Sequence, residues 1–152
     1  GFIGDIGYAQ SNRERYEGFC QALTDAGKKV DSSLCLTTPL GIDTYREEID
    51  TFLSSLSRMP DAFVCASDYV ACILMQLLEK RGLRVPEDVA VSGFDNNTED
   101  LLAEHLTTVQ VFNEELGARL ALQILYRIKY PNTPHEITYL GTNVLYRDST
   151  GD

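Results

Sequence analysis

The sequence has no apolar run that approaches a membrane span, and no basic stretch followed by a short apolar segment of the kind that directs secretion. Basic residues are scarce. Thirteen Lys and Arg stand against 23 Asp and Glu, a formal net charge of −10. Such a surface repels phosphate backbones, so this stretch is not expected to grip nucleic acid itself. Only two histidines occur, His105 and His135, both in the tail, which argues against a nucleophile–histidine pair or a His-rich metal site. No Cys-x-x-Cys occurs among Cys20, Cys35, Cys65 and Cys72. Cys65 and Cys72 lie inside apolar runs, so buried thiols in a reducing compartment are expected ahead of disulfides or zinc. There is no P-loop and no G-x-S-x-G elbow, and "GFIGDIG" spaces Gly1, Gly4 and Gly7 differently from a dinucleotide fingerprint. Binding without catalysis, with neither cofactor nor metal, is the expectation. An initiator Met is also lacking, and the chain starts already inside an apolar segment, like a piece of a longer protein.

What is present is a core former. Of 152 residues, 43% are hydrophobic, with six Phe and eight Tyr, enough for one large domain or two small lobes. Phe2-Ile3 reads as a strand, and "SNRE" (Ser11 to Glu14) as a capping box for a helix that stops at Gly27. A short strand is expected near Ser33 to Leu36. Asp43 or Thr44 can cap a second helix with Tyr45, Ile49, Phe52, Leu53 and Leu56 on one face. Pro60 breaks it, and "DAFVCA" reads as a strand buried on both sides. Ser67-Asp68 opens a third helix to Arg81, closed by Gly82, and "VAVSG" is another buried strand. This alternation is that of an α/β, doubly wound parallel sheet. The tail differs: Leu106 to Val111 reads as a strand, Asn113 as the cap of a helix to about Ile128, and "EITYLGTNVLYRD" as two strands hinged at Gly141-Thr142.

Open parallel sheets collect ligands at the carboxyl ends of their strands. Those ends offer Asp5 and the loop to Ser11, with Arg15 a turn later; Ser67 and Asp68; and Phe94, Asp95, Asn96 and Asn97. A guanidinium, carboxylates, hydroxyls and amides around one crevice suit a polyhydroxylated small molecule. Each residue also has a plainer use. Arg15 can be a solvated helix arginine, Asp68 a helix N-cap, and Asn96-Asn97 turn residues. Asp95 is the best single candidate.

"SNRERYEGFCQAL", "PDAFVCASDYVACILMQLLEKRGLRVPEDVAVSGFDN", "LTTVQVFNEELGARLALQIL" and "LYRDST" resemble, in order, segments of the LacI/GalR family of bacterial transcription regulators. The resemblance implies a periplasmic-binding-protein-like type I lobe with part of a second lobe. Residues 1–107 plus 142–152 would form the C-terminal lobe, and 108–141 would belong to a mostly absent N-terminal lobe. It implies effector binding through Arg15, Asp95, Ser67, Ser11 and Asn113, to which the strand-end reading adds Asp68. The effector would be a sugar or related metabolite, and operator DNA would be bound only through a missing helix-turn-helix headpiece. A cytoplasmic homodimer is implied, with no membrane partner. Pro39-Leu40 stands where several members carry a stacking aromatic.

Helix 68–81 is apolar most of the way round, so its outer face needs a second cover. Either another helix of the lobe supplies it, or a two-fold interface does, through Tyr69, Cys72, Ile73 and Gln76. The resemblance adds Leu101, Leu102 and Ala103 to that interface. The alternatives are an extracytoplasmic sugar-binding protein of a transporter and a small metal-dependent α/β enzyme using Asp5, Asp68 and Asp95.

Overall fold

Strand and helix alternate from the first residues, because runs of two to four apolar residues are separated by amphipathic stretches of helical period. A computed structural model describes residues 1–41, 43–97 and 101–151. Strands β1 (Phe2–Ile3), β2 (Cys35–Leu36), β3 (Ala62–Cys65) and β4 (Ala90–Ser92) form a parallel sheet in the order β2-β1-β3-β4. Between them run α1 (Gln10–Asp25), α2 (Tyr45–Ser55) and α3 (Asp68–Lys80). The strand order therefore reverses between β1 and β3, which opens a crevice at their carboxyl ends.

Successive strand residues face opposite ways, and β1 shows what each face meets. The Phe2 ring lies 5.1 Å from Tyr16 and 5.7 Å from Phe19 of α1. Ile3 joins Phe63, Cys65 and Val91 in a core closed by Ile49 and Leu53 of α2 and by the apolar face of α3. Helices thus cover both faces, as a doubly wound sheet requires. The cover is uneven. In β3, Phe63 and Cys65 are buried, but Ala62 is exposed and Val64 half-buried, so this strand is not buried on both sides as its composition implied. Cys65 and Cys72 lie in the core, and burial pushes the Cys65 thiol up.

Helix ends follow the backbone more than the side-chain signals. α1 and α3 close on Gly27 and Gly82, at φ 68° and 75°. The amides of Gly27 and Lys28 return to Thr24 and Leu23, the paired bonds of a glycine-terminated helix. The expected capping box does not form: Ala9 is the N-cap, and Ser11 lies inside the first turn. The cause is the preceding loop, where the Asp5 carboxylate accepts from the amides of Gly7 (2.8 Å) and Tyr8 (3.1 Å) and leads the chain into the helix early. Thr44 occupies the N-cap of α2 without capping it, because its hydroxyl is taken by Glu48.

The tail carries β5 (Thr108–Gln110), α4 (Asn113–Lys129) and β6 (Asn143–Leu145), with β5 and β6 antiparallel. Asn113 does not cap α4; Phe112 is the N-cap and Asn113 the first helical residue. Only the second of the two expected closing strands forms, since residues 135–142 find no strand partner. The division expected after residue 107 falls just short of β5. Thr108 is buried, and isolated parallel bridges join Thr107 to Ser92 and Gln110 to Asp95, so β5 continues the sheet beside β4. No helix among the described residues is long and apolar enough to cross a membrane.

Candidate functional site

Arg15 lies on the second turn of α1 and reaches across the crevice. Its guanidinium donates to the carbonyl of Ala66, at the end of β3, and lies 3.5 Å from the Asp95 carboxylate, beyond β4. The same group stacks on Phe94, 3.6 Å from the ring centroid. One side chain thereby joins α1 to two loops. Burial pulls the Arg15 pKa down, against the pull of Asp95 and then Asp68. Burial also pushes the Asp95 carboxyl up, opposed by Arg15 and reinforced by Asp68. Asp95 remains 43% exposed, so its carboxylate can still meet a ligand.

The turn that presents Asp95 is unusual. Asp95 and Asn96 take φ of 113° and 53°, a region that side chains rarely adopt. Polar contacts on all sides hold it there. The Asp95 amide donates to Val109 O (3.0 Å), the Asn96 amide to Thr108 Oγ1 (3.3 Å), and the Asn97 amide to Asp68 Oδ2 (2.7 Å). Gly93 has a packing reason to precede this turn. A Cβ there would collide with the Asp68 carboxylate and come within 2.9 Å of Leu106.

The expected site residues fare differently. Arg15 and Asp95 come together. Ser67 follows Ala66 and serves as the N-cap of α3, accepting from Val70 N at 3.4 Å, while its hydroxyl proton is free to donate. Asp68 does not cap the helix, since Ser67 does, and it is enclosed. It is 2% exposed, and its oxygens accept from Thr108 Oγ1 (2.6 Å) and Asn97 N. Its role is to anchor the Asp95 turn from beneath. Ser11 is exposed one turn before Arg15 on α1, hence on the same helix face. Asn113 is exposed, three residues past the Gln110 that bridges Asp95.

The three carboxylates of the metal-enzyme alternative do not converge. Asp5 serves its own loop, Asp68 is enclosed, and Asp95 faces a guanidinium. His105 instead pairs with Asp148 at 2.6 Å on the surface. Among the described residues, no group of three His, Cys, Asp or Glu side chains could hold a metal.

The expected interface residues differ widely in exposure. Cys72, Ile73 and Ala103 are at most 7% exposed and belong to the core. α3 packs against α2, the sheet and the 3-10 helix Leu101–His105, so most of its second cover comes from within the chain. Tyr69 is 58% exposed, and Gln76 and Leu102 are half-buried. The Leu101 side chain lies outside the described residues. Phe94 and Asn96 stood among the strand-end candidates, but Thr108 and Arg147 escaped notice as parts of the site. Nothing local marks them, since each acts through a partner at least 12 residues away.

A crevice at the reversal of a parallel sheet, with an arginine bridging two loops to a carboxylate, is a binding geometry shared by many folds. The family model for the periplasmic binding protein-like domain matches residues 1–150. The chain belongs to that family, in the form found in LacI-family regulators. The domain is 35% identical over 117 residues to the transcriptional regulator DegA of Bacillus subtilis, covering 76% of this chain and 34% of DegA. It is 34% identical over 142 residues to the regulator CelR of Thermobifida fusca, covering 90% of this chain and 40% of CelR. It thus spans well under half the length of these relatives. The structure of a CelR–cellobiose complex superposes with a TM-score of 0.87 at 29% identity, over 98% of the domain and 46% of that chain.

Proposed function

We propose that this domain is the effector-sensing lobe of a transcriptional regulator, binding a small sugar-like metabolite between Arg15 and Asp95. The Arg15–Asp95 pair at the strand-order reversal carries the reading. A guanidinium and a partly exposed carboxylate can together donate to and accept from vicinal hydroxyls, which a purely apolar cleft cannot do. Ser67 and Ser11 would add hydroxyls, and Asn113 an amide from the crossing segment. The CelR–cellobiose complex, similar over nearly the whole domain, supports a carbohydrate as the class of ligand.

Residues 108–141 would belong chiefly to a second lobe that closes over the ligand, with 1–107 and 142–152 forming this one. The support is α4, none of whose side chains is buried. Operator DNA would be met by a separate headpiece, because a domain of net charge −10 is a poor DNA surface. A homodimer of a cytoplasmic regulator would use the exposed flank of α3, Tyr69 and Gln76 with Met75 and Leu102. Two grooves beside that helix support it, of about 210 Å³ near Tyr69 and about 490 Å³ near Leu102.

Calorimetry on the full-length protein, with cellobiose first and then a panel of mono- and disaccharides, tests the site. Arg15→Ala should weaken binding by roughly 2 kcal/mol, because a ligand hydroxyl loses its charged partner. Asp95→Asn keeps the shape of the turn and should cost a similar amount. Unchanged affinity in both variants overturns the assignment.

A further inference from the structure

Arg147 follows β6, and its guanidinium lies far in sequence from the groups it binds. One guanidinium nitrogen donates to the carbonyls of Ala103 (2.9 Å) and Leu106 (3.0 Å), the residues that form and end the 3-10 helix Leu101–His105. The other donates to Asn96 Oδ1 at 2.7 Å, in the left-handed turn that presents Asp95. Its backbone is pinned as well. The Arg147 amide donates to Thr107 Oγ1 (2.8 Å), and Ser149 joins Thr107 N (2.8 Å) to Val91 O (2.6 Å). A planar fork on a fixed base therefore holds two segments at once. One carries the ligand carboxylate, and the other packs against α3.

We infer that Arg147 is a positioning residue that couples the Asp95–Asn96 turn to the 3-10 helix Leu101–His105, so that the two segments order and loosen together. Asn96 is the sensitive end. Its backbone sits at φ 53°, a conformation that needs outside support, and its side-chain oxygen is the acceptor that Arg147 engages. A ligand that draws Asp95 toward it pulls on the same turn. Through Arg147 that pull reaches the carbonyls of Ala103 and Leu106. The inference rests on the proposed ligand site for its purpose, but the coupling itself does not need a ligand.

Hydrogen exchange on the full-length protein separates the two. In the ligand-free protein, Asn96→Gly removes the acceptor without forcing a Cβ into a left-handed backbone. It should speed exchange of the peptide spanning 101–106 by about fivefold, the loss of one hydrogen bond. Arg147→Lys should do the same, the double variant should add nothing further, and Asn96→Asp, which keeps the acceptor, should match the parent. Exchange across α2 should not change in any of them, as it would if the fold were simply weakened. An unchanged 101–106 peptide in Asn96→Gly, or additive effects in the double variant, overturns the coupling. With cellobiose added, the parent should slow at both 94–97 and 101–106, whereas Arg147→Lys should keep the first protection and lose the second. Equal protection of both segments in Arg147→Lys also counts against the coupling. Absence of any cellobiose effect in the parent counts against the sugar site instead, and the ligand-free comparison still decides the coupling.

Discussion

Helix α3 buries eight of its 13 residues, whereas α4, with 17 residues, buries none. Both carry Leu and Ile at helical spacing. In α3 the facing elements are supplied by residues 45–106 of the same chain: α2, the sheet and the 3-10 helix. In α4 the corresponding residues, among them Leu120 (61% exposed), Ile124 (51%) and Ile128 (73%), meet no such cover. An apolar stripe specifies that a helix will pack, but the partner decides whether it does.

The largest effect that would break this comparison is a deletion of core volume. Leu74→Ala in α3 should cost roughly 3 kcal/mol in urea unfolding, from lost transfer energy and the cavity left behind. Leu120→Ala in α4 should stay within about 0.5 kcal/mol for this chain. Equal losses would mean that α4 is covered in solution. Polar partners should divide in the same way. Asp68→Ala leaves the Thr108 hydroxyl and the Asn97 amide without their carboxylate and should cost about 2 kcal/mol. On α4, Glu115→Ala breaks the exposed pair with Arg119 and should lower the unfolding free energy by at most a few tenths of a kcal/mol, about 0.2–0.5.

A smaller contrast lies in the glycines. Gly82→Ala, at φ 75°, should destabilise by about 1 kcal/mol. Gly117→Ala, inside α4 with nothing within 4 Å of the new methyl, should stabilise by roughly 0.5–1 kcal/mol in thermal melts. The smallest effect is electrostatic. Beyond the end of α3, Asp88 accepts from the Arg84 side chain and amide, which holds its carboxyl at about 2. A depressed carboxyl pKa stabilises the fold above its unfolded value, and that contribution fades as pH falls through about 2. Carboxyl NMR should show the Asp88 midpoint near 2, and Asp88→Asn should flatten the acid limb of stability between roughly pH 4 and pH 2.

Much of this architecture was legible because it is local. Continuous apolar runs separated by helices named the parallel sheet, Gly27 and Gly82 marked helix ends, and carboxyl ends of strands pointed to Arg15 and Asp95. Other expectations failed for reasons that a linear reading does not hold. Ser11 resembled a cap, but Asp5 had already organised the loop before it. Asp68 resembled a cap or a ligand contact until Thr108, forty residues later, enclosed it. Cys72 and Ile73 are more enclosed than an outward helix face would be, because α2 packs against α3, which a sequence does not show. The first of the two closing strands had the right composition but no edge to pair with.

The sequence by itself determined the order of strands and helices, the doubly wound class and the two ends of the candidate ion pair, since these depend on periodicity and short-range turn chemistry. Only the tertiary structure decided which carboxylate faces the crevice and which is enclosed, and that Arg147 reaches both Asn96 and the 3-10 helix. Those outcomes depend on side chains 29 to 51 residues apart meeting within hydrogen-bond distance, which folding alone brings about.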